Sequence, residues 1–188
     1  MEFAGLGVAS TSEQGTTISN VFGYGIQQSV KDSVESGKRV FDPERDYTFN
    51  DPDRIRELSV HEFGHAFVNP VAEKYKEKIN TYSYLYKPIE QKMTKLSYRN
   101  WWDCSVEHVV RAGEVRIATI MGQHERAHQL LNKYVKEYNF VYLPQIVEAL
   151  KVYELNRSTY SSFSEFFPEL VNVFENIEPL KSDSTNVR

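Results

Sequence analysis

The chain has 188 residues, 40% hydrophobic and 13% aromatic with 12 Tyr and 11 Phe, which is enough apolar side chain for a proper core and excludes a disordered polypeptide. Its formal net charge is -4 and its Lys and Arg residues are scattered, so there is no basic stripe for nucleic acid. Cys104 is the only cysteine, which excludes an internal disulfide and a cysteine-built zinc knuckle, and no apolar run reaches the ~18 residues of a membrane span.

The first ten residues are mildly apolar but carry Glu2 and no basic segment, and so make a poor signal peptide. Residues 3–9 and 21–26 are short apolar runs rich in Gly, separated by the turn-like STSEQGTTISN, and read as a loose β-hairpin. Residues 27–36 suit a short helix, 39–41 another strand, and 42–51 a polar loop. A long helix follows. Asp51 suits its N-cap, Pro52 its first position and Asp53 its first turn. Ile55, Leu58, Val60, Phe63 and Phe67 recur at helical spacing, and Asn69-Pro70 stops or kinks the element.

Residues 71–79 read as a charged amphipathic helix, and Pro88 suits the start of another over 89–96. In the stretch 100–120, Val106, Val109, Val110, Gly113, Ile117 and Ile120 fall at helical spacing, while Glu107, Arg111 and Glu114 share a different face. Amphipathic spacing recurs over 127–138, 144–156 and 163–177, and residues 179–188 form a polar tail. The expected architecture is one α+β domain over residues 1–178, mainly helical, with a small N-terminal sheet.

Chemistry concentrates in His61-Glu62-Phe63-Gly64-His65, an H-E-x-x-H string inside the long helix. Four helical residues advance about 400°, so the two imidazoles stand one turn apart on nearly the same face and can reach one metal ion. Glu62 follows His61 by about 100°, at the edge of that face, which is the place of a general base that takes a proton from metal-activated water.

A catalytic zinc has three protein ligands and one open position, so the chain must supply another. A metzincin would have glycine and histidine where this chain has Val68 and Val71, which excludes that class. The remaining common arrangement takes a glutamate from a second helix. Glu107 is the first choice. Ala112 and Gly113 on its helix permit close packing, and Arg111, four residues on, can hold its carboxylate. Glu114 is the runner-up. His108 projects about 100° away from Glu107 and suits a structural role better than a ligand role. The competing reading of Glu107-Arg111-Glu114 is a salt-bridged surface stripe. For stabilising an oxyanion, His124, His128, Tyr138 and Tyr142 all remain open.

The string from His61 to Pro70 (HEFGHAFVNP), with Glu107-His108-Val109-Val110-Arg111-Ala112, resembles a bacterial family of gluzincin-type metallopeptidases known from its sequence motif. Tyr153-Glu154-Leu155-Asn156-Arg157 and Phe163-Ser164-Glu165-Phe166-Phe167-Pro168 are similar to that family too, so the resemblance runs over about 50–175. It implies a zincin-like fold with zinc on His61, His65 and a downstream Glu, Glu62 as base, a peptide or protein substrate, and a periplasmic or extracellular site. The alternative expectation is an inactive zinc- or peptide-binding module on the same fold.

Overall fold

The computed structural model describes residues 52–178. The chain divides into two compact units, residues 1–63 and 64–188, and the boundary falls inside the first described helix, α1 (Pro52–Ala72). In the first unit the described part is the N-terminal half of α1, where Ile55, Leu58, Val60 and His61 are half-buried and Glu62 is buried. Asp51, the expected cap, lies outside the described residues.

The expected α+β class is corrected. The described residues are 77% helical and contain no strand. The runs read as strands, 3–9, 21–26 and 39–41, and the helix read over 27–36 lie outside the described residues. The strand readings rested on short Gly-rich apolar runs without a period of two, and such runs do not separate strand from helix. Where the apolar residues do recur with a period, the period is helical, and the backbone follows it.

In the second unit α1 continues through Pro70 to Ala72 instead of stopping at Asn69-Pro70. Proline removes the N–H that would bond the carbonyl of Ala66. Ala66 is exposed, so water can serve that carbonyl and the helix survives another half-turn. A 3-10 turn (Glu73–Tyr75) leads into α2 (Lys76–Thr81), and a second (Ser83–Leu85) precedes α3 (Glu90–Lys95). Then come α4 (Trp101–Ile120), α5 (His124–Asn132) with a π-helical extension at Lys133–Glu137, α6 (Leu143–Leu155) and α7 (Phe163–Glu175).

Helix α4 is the central element of this unit. Asn100 caps it, its side-chain oxygen accepting from the Asp103 N–H at 2.9 Å. Twelve of its twenty residues are buried, so several sides of the helix are covered. Trp101, at its first turn, ties three elements together: its indole N–H donates to the carbonyl of Ile79 at 2.9 Å, and its ring packs edge-on to Tyr142 and Phe174 at 6.0 and 5.3 Å. Near the other end, Arg116 pairs with Glu154 at the end of α6. Start meets start and end meets end, so α4 and α6 run parallel, and α5 with its π turn makes the return. Ser162 caps α7, whose Phe166, Phe167, Leu170, Val171 and Phe174 are buried. Of these, Phe167, Leu170, Val171 and Phe174 meet Ala72, Ile79, Val106 and Val109 in one apolar seam.

The close approach of α1 to α4 occurs at Gly64. A β-carbon there would stand 3.0 Å from Val110 Cγ1, whereas one added at Gly113 would have nothing within 4 Å. Gly64 is what this contact needs; of the two small residues expected from sequence, Ala112 is fully buried and Gly113 faces open space. A matched pair of substitutions tests this by chemical denaturation. Gly113→Ala should stabilise by ~0.5–1 kcal/mol through helix propensity. At Gly64 the same gain meets an overpacking cost of ~1–3 kcal/mol, so Gly64→Ala should be neutral to destabilising. Equal stabilisation by both would show that the contact is slack.

Candidate metal centre

Helix α1 carries His61 and His65 one turn apart, and the side chain of Asn69, one further turn on, orients the second ring. His65 Nδ1 lies 3.1 Å from Asn69 Oδ1. An amide oxygen only accepts, so Nδ1 donates in this contact, and a neutral ring making it carries its lone pair on Nε2. That Nε2 lies 3.3 Å from Glu107 Oε2. Two electron-rich atoms held that close require a proton or a cation between them. A tetrahedral ion with ligands at ~2.0–2.1 Å has edges of about 3.3–3.4 Å, so the spacing suits zinc. His65 and Glu107 thus offer one ligand atom each, and His61 precedes His65 by one turn of the same helix. Two imidazoles and a carboxylate are a donor set zinc accepts. The residues therefore fit the ion.

Glu107 is 4% exposed, and its Oε1 lies 2.6 Å from Arg111 Nη2, the i,i+4 partner. Burial pulls the Arg111 pKa down, but the charge of Glu107 and contacts to Tyr98 and Glu114 more than offset it, and the guanidinium stays charged. Its Nη2 also reaches the Tyr98 hydroxyl at a long 3.4 Å. Burial, then the charge of Glu107, pushes the Tyr98 pKa up, so that hydroxyl keeps its proton.

Within the second unit the structure brings His65 and Glu107 together and leaves Glu114 apart from them. Glu114 accepts instead a short hydrogen bond from the Tyr134 hydroxyl. The surface-stripe reading fails as well, because Glu107 and Glu114 are both buried. Glu62 is buried, at 6% exposure, on the same helix as the two histidines.

His108 serves the interior. It is fully buried, donates Nδ1–H to the Cys104 carbonyl at 2.7 Å, and packs against Phe140, Tyr142 and Trp101. Burial also pushes the Cys104 thiol pKa well up, with the charge of Glu107 adding to it, which leaves an unreactive thiol. Of the four side chains open for an oxyanion role, His124 and His128 are exposed on α5, and the Tyr142 hydroxyl is committed to the Leu85 carbonyl at 2.7 Å. Tyr138 lies with its ring centroid 5.8 Å from the Arg111 guanidinium.

Sequence reading missed Asn69 and Tyr98. For Asn69 a signal existed, since it follows His65 by one helical turn and its amide can orient an imidazole. Tyr98 sits in the loop before α4, and no spacing rule links a loop residue to a helix face.

No helix among the described residues is long and apolar enough to cross a membrane. No curated protein and no solved structure matches the chain. A family model described as "Domain of unknown function (DUF4932)" does match, over residues 22–173, which is most of the chain, and the protein belongs to that family.

Proposed function

We propose that the protein is a zinc-dependent, gluzincin-type peptidase that holds its ion with His61, His65 and Glu107 and uses Glu62 as general base. The observation that carries the reading is the approach of His65, a helix-borne imidazole with a second one turn before it, to a buried carboxylate from a different helix. The H-E-x-x-H order adds to it, because it sets a carboxylate beside the first histidine where a structural metal site has no use for one.

Zinc bound there supplies Lewis acidity towards an amide carbonyl and an attacking water. The chain's own residues do the rest. Asn69 fixes the tautomer of His65, and Arg111 holds the Glu107 carboxylate. Glu62 takes the proton of the attacking water on its carboxylate and passes it to the leaving amine. The substrate class that follows is a peptide or protein.

Metal content tests the proposal. Protein purified without added zinc should hold about one zinc per chain, by mass spectrometry of the metal, and a His61→Ala, His65→Ala double variant should hold none. No metal in the wild type, and no uptake at micromolar zinc, would leave the motif accidental and remove the peptidase reading.

A further inference from the structure

Around Glu107 the structure builds more than an ion pair. The guanidinium of Arg111 lies 4.7 Å from the ring centroid of Tyr134 and 4.9 Å from that of Phe140, with Tyr138 a little farther at 5.8 Å. These rings come from the π-helical turn Lys133–Glu137 and the residues just after it, where the Tyr138 N–H reaches back to the Lys133 carbonyl and Asn139 adopts a left-handed φ of 64°. The reversal lets the Phe140 N–H bond the Tyr134 carbonyl at 2.9 Å, so both rings stand against one guanidinium. The rings are themselves fixed. Tyr134 is anchored to Glu114, Phe140 is fully buried, and Tyr98, whose hydroxyl meets Nη2, has its carbonyl bonded by the Tyr86 hydroxyl at 2.6 Å.

A guanidinium walled in by aromatic rings cannot swing away from its carboxylate, and a flat, stacked cation is what such a cage selects over lysine. Its Nη2 occupies Glu107 Oε1 at 2.6 Å, while Oε2 is the oxygen turned to His65 at 3.3 Å. The two carboxylate oxygens therefore have separate tasks. We infer that Arg111, held in its aromatic cage, is a positioning residue that reserves Glu107 Oε1 for itself and so makes Glu107 a one-oxygen ligand. This rests on the reading of His61, His65 and Glu107 as a metal site. The reason lies in the chemistry of carboxylates. Unrestrained, they can bind a cation through one oxygen or chelate it through both, and chelation fills the position a catalytic zinc must keep open. A positive charge 2.6 Å from Oε1 disfavours that second contact by repelling a cation from that side.

Two measurements on the full-length chain test it. X-ray absorption of the zinc-loaded wild type should count four nitrogen or oxygen neighbours at ~2.0–2.1 Å, and a fifth at chelating distance would overturn the inference. Cobalt(II) substitution reads the same property optically, because visible absorption drops several-fold when a four-coordinate ion becomes five- or six-coordinate. At saturating cobalt, Arg111→Gln should lose most of the wild-type intensity as the released Oε1 enters the shell. A variant that binds cobalt with the wild-type spectrum overturns the inference, since a merely structural arginine would change the folded fraction and not the spectrum of the loaded protein. If Arg111→Gln does not fold, the wild-type neighbour count decides. Failure of the wild type to take up zinc or cobalt is a separate result that removes the metal site itself.

Discussion

Glu62→Gln is expected to bind zinc as the wild type does and to lose peptide hydrolysis by ~10²–10⁴-fold, the contribution of a positioned general base. Glutamine keeps the size and one oxygen of the side chain but cannot accept and release a proton at neutral pH. Size matters because Glu62 is buried, so truncation to alanine would mix a packing defect with the loss of the base. The clean outcome is a split: equal zinc content, equal melting temperature, and turnover of a fluorogenic peptide library reduced to background. Undiminished turnover in Glu62→Gln would assign the proton transfer to another residue. Turnover absent from the wild type as well, with zinc bound, would make the domain a metal-dependent binding module.

Acid should destabilise the fold through His108, and the sign follows from its burial. The ring is fully buried among Trp101, Phe140 and Tyr142, and its pKa is lowered from 6.5 to about 4. Desolvation is the main cause. The Cys104 carbonyl and the Glu107 charge oppose it, and the charge of Arg111 adds to it. The native state therefore holds the neutral ring, while the unfolded chain takes up a proton below about pH 6.5. The stabilisation is fully present above that value and is lost as the pH falls towards 4. A shift of this size corresponds to ~3 kcal/mol in total, of which ~2 kcal/mol disappears between pH 7 and pH 5. Urea denaturation with a chelator present keeps metal release out of the comparison. The wild type should lose that increment relative to His108→Phe, which keeps a ring among the same neighbours without a titrating nitrogen. Parallel pH profiles for the two proteins would mean that His108 becomes charged at little cost and that the interior is wetter than its packing implies.

What could be read from the sequence was local. Within one helix the geometry of every residue relative to its i+4 neighbour is set by the backbone alone, so the pairing of His61 with His65 and of Glu107 with Arg111 followed from spacing. The helical character of residues 52–178 was legible for the same reason, as was the start of α7 at Phe163. The expected sheet had no comparable support, because short apolar runs without a period carry no such constraint.

Only the tertiary structure decided which carboxylate meets His65. Glu107 and Glu114 lie two turns apart on one helix, and helical phase alone favours neither. The choice depends on where α1 lies against α4, which in turn depends on the missing side chain at Gly64 facing Val110. Nor could spacing show that Tyr98, Tyr134 and Phe140, drawn from a loop, a π turn and the residues behind it, surround one guanidinium, or that His108 is stripped of water. These are contacts between segments distant in sequence, and the burial that sets their energies exists only once the helices have packed.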